Sequence, residues 1–160
     1  YLSVNERGDF SHLDIDAQEI PDISKNGGPY AGIMSSLTMI SGEKAFFMSV
    51  DTPFMDPRTA VLLYDNSADY DITSFKFSGK YLDTICGVFS KKCIGTLFKG
   101  LFFNRTTFSY ILDKVYTNLF DTSEIEEFSR ISVDQQFYKV NDRQSYYYAV
   151  FSILKKNFTC

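Results

Sequence analysis

A glycine–proline helix start followed, one helix later, by a short apolar run ending in Asp-Thr-Pro constrains this chain more than any other stretch. In Asn26-Gly27-Gly28-Pro29 the glycines can take the dihedrals of a turn, and Pro29 suits a first helical position, where its missing N–H is not needed. Ile33, Leu37 and Ile40, with Met34 beside them, recur at spacings of three and four. That spacing predicts an amphipathic helix over Pro29–Ser41, closed by Gly42. Ala45–Val50 (AFFMSV) is apolar, of strand length, and bounded by charge in front and Asp51-Thr52-Pro53 behind. Such a run suits a central parallel strand buried on both faces.

The flanking sequence extends this alternation. Tyr1–Val4 reads as a short strand, followed by a polar stretch to Asp16, and Gln18–Asp22 as another extended segment that Pro21 confines to an edge or a strand end. A second helix is expected over Pro57–Tyr64. Asp71–Phe77 and Lys80–Phe89 flank Ser78-Gly79, a hairpin signal. Helices are expected over Lys91–Phe103, weakened by Gly95 and Gly100, and over Phe108–Tyr116. Arg130–Val140 reads as extended and Arg143–Lys155 as a closing helix. Strand, helix, strand, helix and hairpin in this order predict a single α/β domain over 1–160, a sandwich around a mostly parallel central sheet.

Composition excludes several classes of function. The 16 Phe and 11 Tyr could stack bases, but the net charge is −4 and no basic stripe accompanies the aromatics. Displacing a phosphate backbone's counterions needs Lys and Arg, so no nucleic-acid partner is expected and the aromatics are assigned to the core. Cys86, Cys93 and Cys160 show no C-x-x-C pairing. Neither a disulfide framework nor a zinc site is indicated, and a reducing cytoplasm is expected. Cys86 and Cys93 read as small buried hydrophobes. No apolar run approaches the ~20 residues of a membrane helix, and no signal-peptide pattern opens the chain. Tyr1-Leu2-Ser3-Val4 reads as a strand already under way, and the expectation is that an upstream part is removed or not represented. His12, the single histidine, lies in a polar stretch and is assigned to an exposed loop; Asp69, Asp71, Glu124, Glu126 and Glu127 are assigned to solvated surface.

Chemistry concentrates where the glycines and the Asp-Thr-Pro meet. Gly-rich backbone entering a helix N-terminus offers free N–H groups and a positive dipole end, which suit a phosphate or a polar ring edge. Asp51 is expected where a strand emerges at its carboxyl end, the place where open α/β sheets bind ligands. A carboxylate there can hold a hard divalent cation against substrate phosphates. Asp22, just before the glycines, can face the same crevice. Taken singly, Gly-Gly-Pro is most often only a turn and Asp before Thr-Pro a cap or an Asx turn.

GGPYAGI followed by FFMSVDTPFMDP resembles the paired signature of the MobA-like nucleotidyltransferases, a Gly-Pro-x-x-Gly stretch ahead of a strand ending in Asp-x-Pro-Phe. YLSVNE is similar to the family's third strand, EIPD to the segment before its glycines, and FYKVNDRQSYYYA to its closing turn and helix. Within the family, the branch that attaches GMP to molybdopterin fits best. The resemblance implies a Rossmann-like three-layer sandwich of the nucleotide-diphospho-sugar transferase type. It implies transfer of GMP from GTP to molybdopterin, with release of pyrophosphate, in molybdenum cofactor biosynthesis, and cofactor-biosynthesis or molybdoenzyme-chaperone partners. Asp51 would bind the Mg²⁺ and serve catalysis. Ser3, Asp22, Gly28 and Asp51 would lie at the nucleotide, Gly28 because a side chain there would obstruct the base. Asn5 falls on the same strand as Ser3, and Asn141 would belong to the acceptor side. Relatives open with Leu-Ala-Gly-Gly-x-x-x-Arg-Met-Gly and a Lys shortly after, which hold the triphosphate. Neither occurs in these residues, and a βα unit of ~30 residues upstream of Tyr1 is expected to supply them. Lys139 and Asp142-Arg143 also depart from the family's closing turn. The alternatives are a related transferase using CTP or a sugar-phosphate acceptor, and a non-catalytic nucleotide-binding relative.

Overall fold

The computed structural model describes residues 1–25, 27–77, 80–81 and 85–157, the side chains of residues 77, 80, 81, 156 and 157 excepted. Strands Leu2–Val4 (β1) and Glu19–Pro21 (β2) lead into helix Gly28–Met39 (α1), strand Lys44–Met48 (β3) and helix Pro57–Asp65 (α2). Strands Ile72–Phe77 (β4), Lys80–Tyr81 (β5) and Cys86–Ser90 (β6) precede helices Ile94–Phe102 (α3) and Phe108–Leu112 (α4). Strand Thr117–Asp121 (β7), helix Val133–Gln136 (α5) and helix Arg143–Asn157 (α6) close the chain. β1 and β2 pair in parallel as a small sheet. In the larger sheet β6 lies between β3 and β4, antiparallel to both, and β7 pairs in parallel with β4. β3, β4 and β7 therefore point the same way, with β6 reversed among them.

Alternation along these strands places a core on each face of the sheet. Phe47, Phe89 and Ile72 join Ile33 and Leu37 of α1, Leu97 of α3 and Ile111 of α4 on one face. Their neighbours Phe46, Val88 and Phe75 join Leu63 of α2, Ile125 and Val133 on the other. Helices cover both faces, which gives the three layers of an α/β sandwich. Against the expectation, the aromatic excess goes only partly into these cores: Phe98, Phe102, Phe103, Tyr146, Tyr147, Tyr148 and Phe151 are exposed. Within the cores, Phe47 meets Phe89 edge-on at 5.5 Å, and Phe75 packs against Phe120 and Phe137. Cys86 and Cys93 are buried among them, and burial pushes both thiols up to about 12. Neutral thiols of that kind are not nucleophiles.

Four expectations need correction. α1 is not amphipathic: every residue from Tyr30 to Leu37 is buried, because the helix is enclosed by β1, β2, β3 and α3. Among the described strands β3 lies at the end of the larger sheet, paired with β6 alone. Lys44 to Phe47 are half-buried and Met48 is 44% exposed, and no described strand pairs with its outer edge. The strand buried at all five positions is β6. Residues 130–140 are not extended; Ser132 caps α5 by accepting from the Gln135 N–H at 3.4 Å. The helix expected over Phe108–Tyr116 stops at Leu112, and the unanticipated β7 follows, with Asp121 and Glu124 forming a capping box on the next turn. Asp71, too, is more than solvated charge, since its carboxylate accepts from the Tyr116 N–H at 3.1 Å.

The Ser78-Gly79 turn, Asn26 and Cys160 lie outside the described residues. On either side of that turn, Lys76 pairs with Tyr81 and Phe77 with Lys80 in antiparallel register, as a hairpin requires. His12 is exposed in its loop. Among the described residues no helix is long and apolar enough to cross a membrane.

Candidate functional site

The small β1–β2 sheet, the start of α1 and the end of β3 enclose an open cleft of 410 Å³. Ser3 and Asn5 reach it from β1, Asp22 from the end of β2, Gly28 and Gly32 from α1, and Phe47 and Met48 from β3. No side chain caps the first turn of α1, and Gly28 and Pro29 of that turn line this space, so the positive end of the helix dipole lies beside it. That is the setting in which helix N-termini hold phosphate or a polar ring edge.

Gly28 has φ +57°, the left-handed region, and a Cβ built on it would meet nothing within 4 Å. The protein itself therefore leaves room there, and the glycine is required by backbone conformation. Gly28→Ala is expected to cost about 1 kcal/mol of stability, near the lower end of the left-handed penalty. Urea denaturation checks this, and an unshifted midpoint would show that the turn relaxes freely.

Gly32 is glycine for a different reason. Its missing Cβ would lie 2.5 Å from Ser3 Oγ and 3.4 Å from Asp22 Oδ1. Into that space the Ser3 hydroxyl donates a hydrogen bond of 2.7 Å to Asp22 Oδ1. The backbone on either side of Asp22 is also fixed: Asp22 N–H donates to Val4 O at 2.8 Å, and Ile23 N–H to Ser35 Oγ of α1 at 2.7 Å.

Asp51 follows β3 by three residues and is not part of the cleft lining; Met48, which is, marks where the strand leaves it. Asp51 Oδ1 is shielded from solvent and has no hydrogen-bond partner among the described residues. A buried carboxylate oxygen in that condition is costly unless something else satisfies it. The loop carrying it is held from several sides. Val140 N–H donates to Asp51 O at 2.8 Å, Thr52 is buried with its hydroxyl on Ser49 O, and Phe54 packs against Tyr138. Asn141 is exposed and donates its N–H to Ser145 Oγ at 3.1 Å; the Val140–Asp51 bond places it beside the Asp51 loop, away from the cleft lining.

A buried polar knot secures the far end of that loop. Asp56 caps α2, accepting from Arg58 N–H at 3.0 Å, from the Arg58 guanidinium at 2.7 Å and from Ser129 Oγ at 2.6 Å. Arg58 and then Ser129 hold its carboxyl well below the usual carboxylate range against the opposing effect of burial. Gln136, fully buried, accepts from Asp56 N–H and Thr59 Oγ1 and donates to Ser129 Oγ and Ile131 O. Sequence reasoning missed Gln136, in a stretch read as extended, and Ser129, just ahead of it. The helix start at Pro57 was expected; the Asp56 cap and its partners were not.

The structure thus brings Ser3, Asp22 and Gly28 into one cleft, with Asn5, and sets Asp51 and Asn141 together outside its lining. Among the described residues no three His, Cys, Asp or Glu side chains cluster as a metal site.

A family model described as MobA-like NTP transferase domain matches residues 1–102. The chain is 30% identical over 98 residues to a probable molybdenum cofactor guanylyltransferase of Pelotomaculum thermopropionicum, covering 61% of this chain and 45% of that protein. It is 24% identical over 100 residues to another of Carboxydothermus hydrogenoformans, covering 62% and 50%. The chain spans about half the length of these curated relatives. Among solved structures it is similar to the molybdopterin-guanine dinucleotide biosynthesis protein A of Archaeoglobus fulgidus, with TM-score 0.80, 16% identity, and coverage of 96% of this chain and 77% of that one. A protein of Aquifex aeolicus VF5 superposes with TM-score 0.69 at 20% identity, over 88% of this chain and 70% of the other. At such identities these two likenesses speak for the α/β fold.

Proposed function

The chain belongs to the MobA-like NTP transferase domain family, and we propose that it transfers GMP from GTP to the phosphate of molybdopterin, releasing pyrophosphate, in the cytoplasm. The observation that carries this reading is the cleft at the uncapped start of α1, where Ser3, Asp22 and Gly28 converge. An acceptor phosphate oxygen attacks the α-phosphorus of GTP; the new P–O bond forms as the bond to the bridging oxygen breaks, and pyrophosphate leaves with that electron pair. No protein nucleophile takes part. The first-turn N–H groups of α1 bind anionic or polar-edge groups, the Asp22 carboxylate accepts from nucleotide donors, and the left-handed Gly28 keeps the backbone open to the ligand. Asn141 is assigned to the acceptor side, next to the Asp51 loop.

The Asp51 carboxylate fits Mg²⁺: one buried, unpartnered oxygen suits an ion that takes one or two carboxylates and completes its shell with waters and substrate phosphates. When bound, Mg²⁺ supplies neutralisation of the charge that accumulates on the phosphates. The triphosphate-holding loop and Lys of the family signature do not occur in these 160 residues.

Pyrophosphate release from GTP, followed in the full-length protein with and without molybdopterin, checks this reading. Release is expected to require molybdopterin and to fall sharply when CTP replaces GTP or a sugar phosphate replaces the acceptor. GTP binding with no release under any of these conditions would mark a non-catalytic nucleotide-binding protein instead.

A further inference from the structure

We infer that Ser3 and Gly32 act together as positioning residues for Asp22, the Ser3 hydroxyl fixing the carboxylate and Gly32 reserving the space the hydroxyl needs. The inference rests on the reading of the cleft as a nucleotide site. Asp22 stands one residue past the end of β2, on a strand of only three residues, where a carboxylate would ordinarily sample several rotamers. Here Ser3 Oγ–H holds Oδ1 at 2.7 Å, and no other described group bonds the carboxylate. One oxygen is anchored, and the other is left for a ligand's hydroxyl or ring N–H donors.

The Ser3 hydroxyl is not merely solvated. It points at α1, and any residue other than glycine at position 32 would place Cβ 2.5 Å from its oxygen. Once that oxygen is gone, the nearest remaining contacts of such a Cβ are 3.4 Å, to Ser3 Cβ and Asp22 Oδ1, which a small shift accommodates. Gly32 is thus demanded by Ser3, and Ser3 acts on ligands through Asp22. Preorganising a binding carboxylate lowers the ordering penalty of ligand capture, so its loss should appear in nucleotide affinity and not in the chemical step.

The test is a double-mutant cycle in the full-length protein, read as KM for GTP, turnover at saturating GTP, and melting temperature. Ser3→Ala is expected to raise KM about fivefold, the ratio that follows from losing one hydrogen bond of ordinary net strength, with turnover unchanged. Ser3→Thr, which keeps the hydroxyl, should restore the wild-type KM. Gly32→Ala alone should raise KM about tenfold or more, yet add less than about twofold in the Ser3→Ala background. Additive effects would mean that Gly32 makes room for the ligand itself and would overturn the pairing. An unchanged KM in Ser3→Ala, with normal GTP binding by the wild type, would overturn the positioning role and leave the cleft reading standing. KM changes that merely follow melting temperature across the four proteins would also overturn it. Failure of the wild-type protein to bind GTP would overturn both.

Discussion

Asp51→Asn is expected to lower turnover by about a hundredfold or more while leaving the melting temperature essentially unchanged. The substitution keeps the side chain's shape and removes its charge. Loss of a metal-held substrate arrangement is worth several kcal/mol of transition-state stabilisation, and each 1.36 kcal/mol is a factor of ten in rate. Fold stability responds differently. Asp51 Oδ1 is already buried without a partner, and a neutral amide there relieves the burial of an unpaired charged oxygen. The loop's anchors, Val140 N–H on the Asp51 carbonyl and the packing of Phe54 on Tyr138, do not involve the side chain. The measurement is pyrophosphate release by the variant at saturating Mg²⁺, alongside a thermal melt. Near-normal turnover would remove the metal-binding role. A loss of activity that follows a large fall in melting temperature would make Asp51 a structural residue.

The largest expected effect on stability is at Asp56. Its side chain is almost wholly buried, caps α2 and gathers Arg58 and Ser129. Asp56→Ala removes a helix cap worth about 1 kcal/mol and the hydrogen bond from half-buried Ser129 to a charged group, at about 2 kcal/mol more. The Arg58 guanidinium is half-exposed, so its ion pair is screened and adds little. The sum, about 3 kcal/mol, corresponds to a fall in melting temperature of roughly 6–12 °C for a chain of this size. pH supplies an independent check. A carboxyl held below its unfolded value contributes stability that is complete above the unfolded pKa, about 3.9, and is lost as pH falls toward the folded one. Wild-type protein should therefore lose stability on acidification below about pH 4 more steeply than Asp56→Ala. Parallel acid limbs in urea titrations across that window would show that the Asp56 charge is not coupled to folding.

The two variants also separate the halves of the site. The Asp51 loop is held through the Asp51 carbonyl, whereas the Asp56 carboxylate, five residues on, is taken up by Arg58 and Ser129. Both are acids in one short loop, Asp51-Thr52-Pro53-Phe54-Met55-Asp56, and locally Asp56 is set apart only by the Pro57 helix start that follows it. What separates them is segment 129–140, which reaches Asp56 with Ser129 and Gln136 but touches Asp51 only through its carbonyl.

Features written in a few adjacent residues were legible in the sequence. The Gly28-Pro29 helix start, the helix start at Pro57 and the antiparallel pairing on either side of residues 78–79 all follow from dihedral preference and turn chemistry, which act over a turn or two. Chain position made Asp22 and the glycines before α1 candidates for one crevice, whereas Ser3 became one only through the family resemblance. Tertiary structure alone decided that β6 is buried at all five of its positions, because it is paired on both edges and covered on both faces. It alone decided that Gly28 is glycine for its backbone and Gly32 for the Ser3 hydroxyl, and that Gln136 is buried under α2. Those outcomes depend on contacts between residues 19 positions apart, for Ser3 and Asp22, and 80 apart, for Asp56 and Gln136. No local propensity encodes such distances; packing two helical layers onto one sheet brings these residues together, and the energy of satisfying buried polar groups keeps them there.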